Sequence, residues 1–172
     1  MIPIEVGKSR KVEGGTYQTE QVFETEVEVS DPEIHKVDGK PDHVTYRLSS
    51  ASSYPSWNNQ AHTVKRRYND FCWLKEQLDH EVRHNKLPIP VKPLPPLPEA
   101  DSFFGWFSGE RFAPDFIEKR RQDLDTWINI VANHDISSTS PTLLHFLQLK
   151  SFDDVRALHD SSSSTSSSSS SS

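Results

Sequence analysis

The chain has 172 residues, a net charge of −6 and a single cysteine, Cys72. That length suits one domain with a real core. The acidic balance argues against nucleic acid as the main partner, which would call for a basic face, and one thiol excludes an intrachain disulfide and argues against a cysteine-rich zinc site. No stretch approaches the roughly 20 apolar residues of a membrane span, and no apolar run of signal-peptide length opens the chain. The expectation is a cytosolic protein whose membrane contacts are peripheral.

Charge is uneven along the chain. Residues 61–121 carry 11 basic against 9 acidic side chains and form the only net-positive third, so an anionic ligand is sought there. Residues 1–18 are expected to be a flexible N-terminus, since Gly7 to Gly15 is polar and charged. Residues 19–159 form the expected domain. Residues 160–172 are expected to be a disordered tail: from Ser161 onward every residue is Ser except Thr165, and nothing there can offset the cost of ordering the backbone.

Phe23, Val27 and Val29 alternate with Glu24, Glu26 and Glu28, which predicts a half-buried strand over 21–29. Asp31-Pro32 is expected to end it, and Asp38-Gly39-Lys40-Pro41 marks a turn. A second strand is predicted over 43–48, with Val44, Tyr46 and Leu48 on one face, then a polar loop to Asn59 and a third strand over 63–68. Short connections make these an antiparallel meander. Phe71, Leu74, Leu78 and Val82 then recur every three or four residues, one face of a helix over 69–84, with Asn69 or Asp70 as its cap. Leu87 to Pro98 holds six prolines and must be extended. A second helix is predicted from Pro114 to about Asn133, and a third from Pro141 to Leu149, with Asp153 to His159 either extending it or forming a separate turn. The fold class is α+β, a three-stranded antiparallel meander packed against a helical subdomain with a proline-rich crossing loop.

Three features carry chemistry. Lys65-Arg66-Arg67-Tyr68 closes the third strand; it is either an edge strand kept soluble by charge or an arginine fork matched to a phosphate, with a ring to stack on a sugar face. Arg120 falls inside the apolar stripe Phe116, Ile117, Leu124, Trp127, Ile128, Val131. An unpaired cation there is costly, so either a buried carboxylate satisfies it or the stripe opens onto an anionic ligand. Arg121 at the stripe's edge and Lys119 beyond it are expected to be solvated. Phe103, Phe104, Trp106 and Phe107 crowd a loop and read either as a plug over the core or as a wedge for the lipid interface.

Two other motifs weigh less. PxxP spacings within Pro88–Pro98 suit an SH3 ligand, but the segment bridges two helices of one domain. His80-Glu81-Val82-Arg83-His84 fits H-E-x-x-H, yet Arg83 puts a cation between the two histidines, Pro88 follows closely, and no third ligand stands at a recognisable spacing. A chance match is the better explanation. No catalytic set, metal site or cofactor motif is assigned, and the chain is not expected to be an enzyme.

Taken in order, Val27-Glu28-Val29-Ser30-Asp31-Pro32, Arg66-Arg67-Tyr68-Asn69-Asp70-Phe71-Cys72-Trp73-Leu74, Pro95-Pro96-Leu97-Pro98 and Phe116-Ile117-Glu118-Lys119-Arg120-Arg121-Gln122-Asp123-Leu124 resemble a PX (phox-homology) domain of the sorting-nexin type. The resemblance spans Val22 to Leu149. It implies recognition of phosphatidylinositol 3-phosphate by a peripheral membrane adaptor in endosomal or vacuolar trafficking, with a trafficking-protein partner. By the family pattern Arg67 would hold the 3-phosphate, Tyr68 would stack beneath the inositol ring and Arg120 would contact its hydroxyls. Phe103, Phe104, Trp106 and Phe107 fall where such domains carry a membrane-inserting loop. The family's usual lysine after the proline run is missing, since Glu99 and Ala100 stand there. Lys92 is one candidate substitute and Arg111 another. The alternative implied by that departure is a PX-fold protein-interaction module with weak or no lipid binding.

Overall fold

A computed structural model of the chain describes residues 7–11, 17–88, 90–98 and 109–164, with side chains from Val22 onward. Strands β1 (Gly7–Lys11) and β2 (Tyr17–Gln21) pair antiparallel as a two-stranded ribbon, in a stretch whose composition carries no strand signal. The main sheet is an antiparallel meander of β3 (Thr25–Val37), β4 (Lys40–Ser52) and β5 (His62–Arg67), in that order. Helices α1 (Tyr68–Arg83), α2 (Pro114–Ala132), α3 (Pro141–Gln148) and α4 (Phe152–Ser164) follow.

The first strand does not stop at Asp31-Pro32. Its register against β4 slips between Ser30 and Glu33, where three steps on β3 face two on β4, and Asp31 takes φ 44°. This is a bulge. It absorbs a proline that has no N–H to give the ladder, and the strand resumes to Val37. Asp38 and Gly39, both at positive φ, make the predicted turn. The second strand likewise runs past Leu48 to Ser52, because Ser50 and Ser52 face inward, their hydroxyls donating to the carbonyls of Leu147 (3.5 Å) and Glu24 (3.0 Å). Polar residues buried with partners continue a strand as well as apolar ones.

Period-2 and period-3.6 patterns place the core where the sequence puts it. Val27, Val29, Tyr46, Leu48 and Val64 from the sheet meet Phe71, Leu74, Leu78 and Val82 of α1, and Ile117, Leu124, Trp127, Ile128 and Val131 of α2, all buried. Each such side chain contributes roughly 1.5–3 kcal/mol on burial. Phe71 sits edge-on to Trp127 and to Phe146 of α3 at 6.3 and 5.3 Å. Leu94 of the proline segment is buried, and the Trp127 indole N–H donates to the Pro95 carbonyl at 3.0 Å, so the proline run is part of the fold's own packing. The cap of α1 is Arg67, not Asn69 or Asp70. Asp70 instead reaches back from the third helical position and accepts the Arg67 N–H at 2.9 Å. Helix α4 is separate from α3, and it extends to Ser164, where exposed serines donate to carbonyls three residues back.

The outer edge of β3 is closed by side chains of α2. Val29 N–H donates to Asp125 at 2.8 Å, Val27 N–H to Asn129 at 3.0 Å and Thr25 N–H to Asn133 at 3.0 Å. Asn129 and Asn133 return donors to the Val27 and Thr25 carbonyls at 2.6 and 2.8 Å, and Arg121 Nη1 donates to the Val29 carbonyl at 2.7 Å. Arg121 is therefore not merely solvated, as its place at the stripe's edge suggests. Four helical residues rise about 6 Å and two strand residues about 6.6 Å. A polar stripe at every fourth helix position can therefore track alternate strand residues and replace a missing neighbour strand.

Candidate functional site

A cleft of about 370 Å³ opens where β5 turns into α1. Its walls include Asp42, His43 and Val44 of β4, Arg67, Tyr68 and Asn69 at the strand–helix junction, Arg111 and Phe112 just before α2, and Arg120 within α2. Residues more than 50 positions apart thus meet in one concavity, and its cations Arg67, Arg111 and Arg120 all come from the net-positive third of the chain.

Strand alternation separates the basic residues of β5. Val64 and Arg66 share the inward face and are buried, whereas Lys65 and Arg67 face outward and are exposed. Lys65 pairs with Glu33 at 2.5 Å. Arg66 is only 1% exposed and lies under the C-terminus of α3. Its guanidinium donates to the carbonyls of Phe146 (3.1 and 2.8 Å), Leu149, Lys150 (3.2 Å) and Lys65 (2.8 Å), between the rings of Phe146 and Phe152. It satisfies carbonyls that a helix end leaves open. Burial pulls its pKa from the ordinary arginine value down to about 10, opposed by Asp70. Arg66 is thus a structural cation, and the charged run is neither wholly a soluble edge nor wholly a ligand fork.

Arg67 turns to the cleft. Its Nε lies 3.4 Å from Asp70 Oδ1, and among the described residues its two terminal nitrogens have no hydrogen-bond partner. Burial raises the Asp70 carboxyl, while the Arg67 N–H and the charges of Arg67 and Arg66 lower it. Arg67 is among the residues that line the cleft. Tyr68 is fixed by its hydroxyl, which donates to the Pro98 carbonyl at 2.6 Å. The Arg120 guanidinium lies 4.0 Å from the centroid of the Tyr68 ring and 4.5 Å from that of Phe116. The interruption of the apolar stripe is therefore where α2 opens onto the cleft. Stacking engages the flat faces of a guanidinium, and its donors lie in the plane.

His43 and Asp42 were not singled out by the sequence. His43 Nδ1 is 2.7 Å from Asp42 Oδ2, and its ring stacks on His35 at 4.6 Å. Their signal was available in the meander itself, which pairs Thr45 with Arg67 and so brings the start of β4 alongside the strand–helix junction. Lys92 is exposed on the proline segment, where its carbonyl accepts from His134 at 2.6 Å, and it is not among the cleft's lining residues. Phe103, Phe104, Trp106 and Phe107, with Glu99 and Ala100, lie outside the described residues. In the H-E-x-x-H segment, Glu81 accepts from the Thr142 hydroxyl at 2.7 Å and His84 Nδ1 lies 2.8 Å from the His80 carbonyl. Among the described residues no group of three His, Cys, Asp or Glu is placed to hold a metal, and no helix is long and apolar enough to cross a membrane.

Comparison with known proteins fits this geometry. The PX domain family matches residues 54–150. Human sorting nexin-3 is 34% identical over 131 residues, 74% of this chain and 75% of that protein. Mouse sorting nexin-12 is 32% identical over 130 residues, 74% of this chain and 73% of that one. Sorting nexin-4 of Cryptococcus neoformans is 29% identical over 136 residues, and the match spans only 26% of its length. In three dimensions the chain is similar to an X-ray structure of a designed CISK-PX domain, with a TM-score of 0.52 and 24% identity over 72% of this chain and 98% of that one, a likeness of fold alone. With the meander, the proline crossing and the arginine-bearing second helix all in place, this chain belongs to the PX domain family.

Proposed function

We propose that this chain is a non-enzymatic adaptor that binds phosphatidylinositol 3-phosphate and so docks peripherally on endosomal or vacuolar membranes. Phosphoinositides are the general ligand of its family. The observation that carries the reading is the meeting of Arg67, Tyr68 and Arg120 in one cleft. Arg67 holds the 3-phosphate with its outward fork, a geometry matched to phosphate oxygens. Tyr68 offers a ring to the inositol, and Arg120, steadied by two aromatic faces, donates to the ring hydroxyls. The aromatic residues Phe103, Phe104, Trp106 and Phe107 supply the apolar contact with the bilayer. The test is sedimentation with vesicles that contain or lack the 3-phosphorylated lipid. Wild type is expected in the pellet only with that lipid, and Arg67→Ala in the supernatant with both; equal sedimentation of the two proteins would refute the reading.

A second reading has its own support. Asp42 stands in the cleft wall and Glu99 follows the proline run, both unfavourable beside an anionic surface. On that reading the domain is chiefly a protein-interaction module. It predicts a stable trafficking partner that Arg67→Ala still captures, with no lipid response in wild type.

A further inference from the structure

We propose that His80 and His84, at the exposed end of α1, form a two-point chelate for a divalent transition metal such as zinc. The site is separate from the cleft and independent of the headgroup reading. His80 lies in the last turn of α1 and His84 is its C-cap, so the two stand one helical turn apart. Leu78 and Val82 of the same turns are buried. An offset of two residues is about 200° around a helix, so the histidines lie opposite the core face, and both are exposed. Their rings stack, with centroids 4.1 Å apart and planes 28° from parallel. Two nitrogens on one tetrahedral zinc, each at about 2.0–2.1 Å, stand roughly 3.3 Å apart. Rings already this close reach that span by a small turn about their side-chain bonds.

The backbone fixes which nitrogen of His84 faces a metal. Its Nδ1 lies 2.8 Å from the His80 carbonyl. A carbonyl only accepts, so Nδ1 carries the hydrogen and Nε2 keeps the lone pair that a metal takes. The same carbonyl accepts the His84 N–H at 3.1 Å. His84 is thus tied twice to one oxygen, the kind of outer support that metal-binding histidines use. The helix end around it is also fastened: Arg83 Nε donates to the Asp79 carbonyl at 3.2 Å, and the Leu87 N–H to Asn85 Oδ1 at 3.0 Å. Imidazole donors suit zinc, nickel and copper, whereas magnesium and calcium take oxygen ligands. Glu81 is engaged elsewhere, accepting from the Thr142 hydroxyl of α3 at 2.7 Å. The pair therefore holds metal without the general base of an H-E-x-x-H enzyme, and water fills the other positions. The Arg83 charge beside it makes the site a weak, exchangeable one. Bound metal clips the last turn of α1 where the chain leaves for the proline crossing.

The test is calorimetric titration of the full chain with zinc chloride, with magnesium chloride as the hard-cation control, alongside NMR spectra of the imidazole nitrogens. Wild type should bind zinc saturably, melt at a higher temperature with it, and ignore magnesium. His80→Gln and His84→Gln should each weaken zinc at least about tenfold, because losing one donor removes the gain from intramolecular binding of the second. Their metal-free melts should match wild type, since both side chains are exposed. In the wild-type spectrum zinc should shift the ring nitrogens of His80 and His84 together. The proposal is overturned if wild type binds no zinc, or if the affinity survives when both histidines are replaced, which would place the metal elsewhere. Should either substitution lower the metal-free melt, the wild-type spectrum decides: rings of His80 and His84 that zinc leaves unshifted overturn the proposal.

Discussion

Arg66 and Arg67 are neighbours in sequence and opposites in role. Arg66 points into the protein, where backbone carbonyls at the end of α3 and two aromatic rings surround it. Arg67 points out, half exposed, with an acidic contact to Asp70, and it lines the cleft. One step along a strand reverses the face, and with it the energetics. The buried guanidinium has exchanged water for fixed carbonyls and holds the helical layer against the sheet. The outer one stays half in water at the wall of the cleft. A run of like charges is therefore not one feature: the same residue type is buried against backbone carbonyls at one position and lines the cleft at the next.

The contrast can be broken most forcefully at Arg66. Arg66→Ala leaves the carbonyls of Phe146, Leu149 and Lys150 without their donor and should cost about 3 kcal/mol or more, read as a lowered urea midpoint. Arg66→Lys should recover only part of this, since an ammonium cannot span those carbonyls as a fork does. Arg67→Ala should do the reverse. Vesicle affinity falls by roughly tenfold to a hundredfold, while unfolding stability changes by less than about 1 kcal/mol. Should Arg67→Ala unfold the protein, or Arg66→Lys abolish binding well below its melting temperature, the division of labour is wrong.

A smaller effect sharpens the structural side of the comparison. Asn129→Ala removes both partners of the Val27 peptide group and should cost about 1–2 kcal/mol with no change in vesicle affinity, measured by paired denaturation and sedimentation. The smallest concerns Glu118, which Arg121, and then Gln122, hold down from about 4.5 to about 2. A carboxyl depressed in the folded state adds stability that is complete above its unfolded pKa and lost as pH falls through the folded one. Melting temperature should therefore drop slightly between pH 4.5 and 2 through this group, and Glu118→Gln should remove that part of the slope. An unchanged slope in the variant would show that the clasp is fully screened by solvent.

Much of this was legible in the residues. The alternation that includes Val27 and Val29 and the spacing of Phe71, Leu74, Leu78 and Val82 gave strand and helix faces that are buried as expected, because those periods are set by backbone geometry alone; Phe23 is the exception, half-buried and ahead of β3. The Asp31-Pro32 bulge was misread as a strand end because a turn signal says that the ladder is interrupted but not whether it resumes. Arg66 was grouped with its neighbours, although the Val64–Arg66 alternation already placed it inward. Arg121 was expected to be solvated, and Asn129 and Asn133 were not singled out, because nothing local shows that an unpaired strand edge lies opposite.

By itself, then, the sequence determined the order and type of the elements from β3 to α3 and the presence of an arginine inside an apolar stripe, since these follow from local propensity and periodicity. Only the tertiary structure decided which cations line the cleft. Arg111 joins Arg67 and Arg120 there and Lys92 does not, and Arg66 is spent on α3. The reason is physical: a side chain's partners are set by where distant elements cross, and that depends on how the whole core packs.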